Sequence, residues 1–149
     1  MRKIVIITLV AVCFLSFGCT ELMKRMAVKE LDFSLRRVSL VDYDLTNMTL
    51  NVEIKADNPN DIDAVIDRLD YSFSINDKVA TTGTTARKIT VKAEGTTTIS
   101  TKLKVNYLNL GAAILEAVKN KKADFRLEGT VYVDTPIGAI TFPIDLLYP

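Results

Sequence analysis

From Leu31 onward the apolar residues of this chain return at every second position, and that period constrains the fold more than any other feature. Met48, Leu50, Val52, Ile54 and Ala56 alternate with Thr49, Asn51, Glu53 and Lys55. Successive side chains of a strand point to opposite faces, so the pattern predicts a strand with one face buried and one in water. Leu69, Tyr71, Phe73 and Ile75 repeat it. So do Ile89 and Val91, then Ile99, Leu103 and Val105, then Phe125, Leu127, Val131 and Val133, and last Ile140, Phe142, Ile144 and Leu146. In the first strand the phase slips: Phe33 and Leu35 form one set, Val38 and Leu40 the other. Arg36-Arg37 stands at the slip and predicts a β-bulge. The expectation is seven strands.

Turn residues separate them. Asn58-Pro59-Asn60-Asp61 breaks the chain after the second strand, Asn76-Asp77 fits a tight hairpin, and Ala93-Glu94-Gly95 and Thr135-Pro136-Ile137-Gly138 close two more. A single segment has the helical period: Tyr107, Leu110, Gly111, Ile114, Ala117 and Val118 fall on one face. Asn106 is placed to cap its start, and Lys119, Lys121 and Lys122 complement its negative pole. Seven short strands with one helix before the sixth read as a mainly β fold, an antiparallel immunoglobulin-like β-sandwich spanning residues 31–149.

The N-terminus is of another kind. Met1-Arg2-Lys3 is followed by Ile4 to Phe17, apolar apart from Thr8 and Ser16. A bilayer span needs about 20 apolar residues, and this run is shorter. A basic start and a short apolar stretch ending in a small residue predict an export signal over residues 1–18. Leu15-Ser16-Phe17-Gly18-Cys19 resembles the lipobox of bacterial lipoproteins, with Ser16 at the place where Leu is commonest. The resemblance implies cleavage before Cys19 and a diacylglycerol thioether on its sulfur. Two or more acyl chains hold a protein stably at a bilayer, whereas one does so marginally. Residues 19–30 then form a charged tether. Thr20 rather than Asp after the cysteine implies, by resemblance to Gram-negative sorting, the periplasmic face of the outer membrane. Cysteine use agrees: Cys13 leaves with the signal, and Cys19 alone permits no internal disulfide.

Composition narrows the function. The chain has 149 residues and a net charge of +1; loss of Arg2 and Lys3 brings it to −1. A near-neutral domain is a poor nucleic-acid binder, because that affinity comes mostly from phosphate neutralisation. The chain has no His, which removes Ser-His-Asp chemistry and imidazole metal ligands. Glu53, Asp67, Asp70 and Glu128 fall on predicted outer faces with no sign of convergence, so no enzyme, cofactor or metal is expected. Asp57, Asp61 and Asp63 lack the spacing of a calcium loop and read as a solvated turn. The runs Thr81-Thr82-Gly83-Thr84-Thr85 and Thr96-Thr97-Thr98 suit exposed strand positions. Lys88, Lys92, Lys102 and Lys104 are expected to share one outer face, as edge protection.

The stretches LDFSLRRVSL, LNVEIKADNPNDIDAVIDRLDYSFSINDKVATTGT, KVNYLNL and DFRLEGTVYVDTPIGAITFPI resemble the group 2 late embryogenesis abundant proteins and their WHy (water stress and hypersensitive response) domain. The resemblance covers Leu31 to Tyr148. It implies a folded, single-helix β-sandwich with a stress-protective or binding role. Asn58-Pro59-Asn60 is its most specific piece. Turn chemistry accounts for these residues, and the functional alternative is a recognition loop. The expected protein is an envelope lipoprotein held by acylated Cys19, a monomeric domain binding membrane, envelope proteins or lipid. Two other readings stand beside it: an apolar-ligand or lipid carrier with a groove between the helix and a sheet, and a structural subunit of an envelope assembly.

Overall fold

The computed structural model describes residues 31–135 and 138–148. Among the described residues eight strands and one helix follow in order: β1 (Asp32–Tyr43), β2 (Asn47–Asp57), β3 (Ala64–Ile75), β4 (Lys78–Thr85), β5 (Ile89–Val91), β6 (Thr96–Asn106), α1 (Ala113–Lys119), β7 (Phe125–Thr135) and β8 (Gly138–Tyr148). They form two antiparallel sheets. One has the order β1-β2-β6. The other runs β4-β3-β7-β8, with β5 taking over from β4 along the same side of β3.

The alternation of β2 is realised residue by residue: Met48, Leu50, Val52, Ile54 and Ala56 are buried, and the residues between them are partly exposed. Facing them across the sandwich are Phe73, Ile75, Leu127, Val131 and Val133, all buried. Phe73 stacks on Phe125 with ring centroids 5.9 Å apart. Each such side chain contributes roughly 1.5–3 kcal/mol on leaving water, so the two inner faces hold the sheets together. The predicted bulge is present. Leu35 pairs with Ile54 and Arg37 with Glu53, which leaves Arg36 outside the ladder; a second shift leaves out Val41. Bulges on an edge strand bend it away from foreign partners.

Register defines two poles. Asp32, Asp57 and Thr96 lie together at one end of the first sheet, and Asn47 and Asn106 at the other. The first end is joined to the second sheet where β3 begins and β5 ends: Asn58 N donates to the Gly95 carbonyl and Glu94 N to that of Asn60. The far end is joined by Lys78, whose Nζ donates to the Leu110 carbonyl at 2.9 Å. There Ile75, Phe125 and Tyr148 also come together. The described chain thus starts at the Asn58 pole and its last strand finishes at the helix pole.

The sandwich has one strand more than the seven expected. The extra one is β4, KVATTGTT, most of it at least partly exposed. Threonine tolerates such a half-wet strand position without supplying an apolar alternation, so the period-two pattern does not mark it. The helix is shorter than expected. Asn106 Oδ1 accepts from the N–H groups of Leu108 and Asn109, capping a turn rather than the helix. Gly111, at φ +107°, then interrupts the chain before α1. Asn76 and Asp77 have φ of 48° and 62°, the left-handed pair of a type I′ hairpin.

Candidate functional site

Asn58-Pro59-Asn60 forms the seam between the sheets at the first pole. Pro59 is exposed, while Asn58 and Asn60 are only 2% and 7% accessible. Asn58 Nδ2 lies 2.8 Å from the Ile62 carbonyl, 3.1 Å from that of Val91 and 3.2 Å from that of Lys92. Its Oδ1 accepts from the backbone and side-chain N–H groups of Asn60, at 3.1 and 2.9 Å. Both ends of one amide are therefore committed to holding the β2–β3 connection against the β5–β6 loop. Asparagine suits the place because it both donates and accepts without charge.

The second feature is a cleft at the helix pole. It has a volume of about 550 Å³ and lies between β1, the end of α1 and the ends of β7 and β8. Arg37, Val38, Ser39 and Leu40 line one side; Val118, Lys121 and Ala123 line the helix side; Phe125 and Tyr148 complete it. The backbone explains how Lys121 arrives there. Lys122 N donates to the Ala117 carbonyl at 2.8 Å and Lys121 N to that of Val118 at 3.2 Å. This is the Schellman ending of a helix, and its left-handed position is usually glycine. Here it is Lys121, at φ +54°. Gly111 and Ala113 are exposed and take no part in the lining.

The remaining candidate residues are spread over the surface. Asp67, Asp70 and Glu128 sit on strands of the second sheet and Glu53 on the first. Each of the three has a structural neighbour: Lys88 lies 3.5 Å from Asp67, Thr84 donates to Asp70 at 2.7 Å, and Arg126 lies 3.3 Å from Glu128. Arg126 also forks onto Asp145, with Nε and Nη2 each 2.7 Å from a carboxylate oxygen. That contact holds the Asp145 carboxyl below its ordinary range. Asp57 is lowered by hydrogen bonds from Lys55 and Thr96, and Asp63 by those from Lys92 and the Ala93 N–H. Among the described residues no group of three or more acidic or thiol side chains is placed to hold a metal ion.

The four lysines expected on one face are divided. Lys88 precedes β5 and pairs with Asp67 and Asp134, and Lys92 follows β5 and pairs with Asp63, whereas Lys102 and Lys104 stand on β6 in the other sheet. Short apolar alternation says which face of a strand is outside, but not to which sheet the strand belongs. Cys19 lies outside the described residues, as do residues 1–18 and the tether. Among the described residues no helix is long and apolar enough to cross a membrane. The sequence reading placed a groove between the helix and a sheet, but did not mark the residues that line this cleft. Arg37 reads there as part of a bulge and Lys121 as a helix-end charge. The available signal was a lysine where a helix ending favours glycine.

Comparison with known proteins agrees with this architecture. A solution structure from Arabidopsis thaliana superposes with a TM-score of 0.64 at 20% identity, over 82% of this chain and 82% of that one. A solution structure described as a late embryogenesis abundant protein gives 0.58 at 18% identity, over 93% of this chain and 81% of that one. A Bordetella pertussis protein gives 0.53 at 12%, over 79% and 91%. At these identities the likeness carries the fold alone. No curated protein matches the chain. The sequence itself matches the LEA_2 family, late embryogenesis abundant protein, over residues 53–146, from the middle of β2 nearly to the end of β8. The chain belongs to the late embryogenesis abundant family LEA_2.

Proposed function

We propose that this is a non-catalytic binding protein of the cell envelope, anchored to a membrane through acylated Cys19 and protective under water stress. The observation that carries the reading is the family match over residues 53–146, which favours a stress-related or binding role. The surface suits contact rather than chemistry. Several of its carboxylates are engaged by arginine, lysine or threonine, as at Asp70, Asp63 and Asp145. A tether ending at residue 30 would hold the Asn58 pole toward the bilayer. The cleft at the helix pole would then point away from it, toward periplasmic partners if the anchor lies in an outer membrane.

The test is protection. The purified full chain, dried with a labile dehydrogenase, should preserve more enzyme activity on rehydration than an equal mass of an unrelated folded protein. Equal recovery with the control protein would overturn the protective role. Growth of a deletion strain after drying, with and without the gene restored, asks the same question in cells.

A further inference from the structure

Three hollows differ in what they can hold. The apolar seam between the sheets, lined by Ile54, Leu69, Ile89 and Ile99 among others, has a volume of about 40 Å³, enough for about one water-sized group. A hollow of about 680 Å³ over the outer face of the second sheet is shallow and edged by Asp70 and Glu128, which would repel an anion. The cleft at the helix pole has about 550 Å³, within the range of small-molecule sites. It alone combines two cations, Arg37 and Lys121, with an apolar wall of Val38, Leu40, Val118, Phe125 and Tyr148.

We infer that this cleft binds a single-chain acyl carboxylate, a long-chain fatty acid. Its chain lies against Phe125, Tyr148 and the aliphatic residues of β1, and its carboxylate meets Arg37 and Lys121. Charge complementarity selects an anionic head, and the half-buried side chains of Val38, Leu40 and Tyr148 offer a hydrocarbon tail apolar contact within a lining that is otherwise largely polar. Volume selects one chain: at about 30 Å³ for each water-sized group, the cleft holds roughly eighteen such groups, one long chain with its head rather than two. Lys121 supplies a second argument. It occupies a left-handed position that glycine fills more easily. The inference deepens the reading as a binding module, and is independent of the anchor.

The full chain in nanodiscs of neutral phosphatidylcholine, exposed to a diazirine-bearing palmitate and photolysed, tests it. Crosslinks mapped by mass spectrometry should fall on the segments carrying Val118, Phe125 or Tyr148. Excess palmitate should compete, and hexadecanol at equal concentration should not. Lys121→Gly fits the left-handed backbone, so its circular dichroism should match the parent while labelling falls at least tenfold. Crosslinks confined to other segments, competition by hexadecanol, or unchanged labelling of Lys121→Gly would each overturn the proposal. Cys19→Ser should label as the parent does, so a failed anchor and a failed cleft give different results.

Discussion

Asn58 donates through Nδ2 to the carbonyl of Val91 at 3.1 Å, across 33 residues of sequence and from the end of one sheet to the edge of the other. The contact is buried, and the same nitrogen also reaches the carbonyls of Ile62 and Lys92. Asn58→Ala strands these groups and should cost about 1–3 kcal/mol, the penalty for leaving a buried polar partner unmade. Asn58→Asp removes the donor and adds a buried charge, so it should cost more. Urea unfolding followed by circular dichroism ranks the three proteins. Equal stability of all three would show that the seam does not hold the sheets.

Gly129 and Gly83 both flank Tyr71 in the ladder, yet substitution should hurt them unequally. A Cβ at Gly129 would run into the Asp70 carbonyl oxygen, which is backbone. At Gly83 the nearest atom is the Tyr71 hydroxyl, 2.8 Å away, at the tip of a side chain that can swing aside. Gly129→Ala is expected to destabilise by about 2 kcal/mol or more, in the range of strained or overpacked interiors. Gly83→Ala should cost clearly less. Thermal midpoints of the two variants decide the order.

The Arg126–Asp145 fork sets an acid response. Asp145, Asp57 and Asp63 all titrate below their ordinary value of 3.8 in the folded protein, because hydrogen bonds from Arg126, Lys55 and Lys92 favour the charged form. A carboxyl with a depressed folded pKa stabilises the fold fully above its unfolded value and loses that contribution as pH falls through the folded one. The thermal midpoint should therefore be level from about pH 6 to 8, where a chain without histidine has no side chain of ordinary pKa to titrate. It should drop below about pH 4. Asp145→Asn should lie below the parent at neutral pH and converge on it in acid. A constant gap across the range would refute the assignment.

Anchoring is expected to depend on one atom. Cys19→Ser removes the sulfur that would carry the thioether, and the variant should fail to incorporate an alkyne fatty acid fed to cells. Fractionation should find it as uncleaved precursor. Equal labelling of parent and variant would refute lipidation at Cys19.

The strands with strong apolar alternation were legible in the sequence because burial itself writes that pattern: Met48 to Ala56 in β2 and Phe125 to Val133 in β7 have one face in the core. The bulge at Arg36 was legible as a break of phase, and the hairpin at Asn76-Asp77 as turn chemistry. β4 was not, because a half-exposed edge strand needs no apolar face. The helix was read too long, since Tyr107 and Leu110 bury from a turn as readily as from a helix. A groove beside the helix was among the readings of the sequence, but its walls were not legible, because they come from β1, α1, β7 and β8, and no local period reports which distant segments meet.

The two poles also fix how the domain would bear a pull. A load applied through residue 31 at one end and Tyr148 at the other acts along β1, whose ladder to β2 runs from Asp32↔Asp57 to Tyr43↔Met48. The hydrogen bonds of an antiparallel pair lie across the strands, so such a force meets them side-on and loads many together instead of unzipping them in turn. A sandwich loaded from these two poles is therefore expected to yield late and all at once.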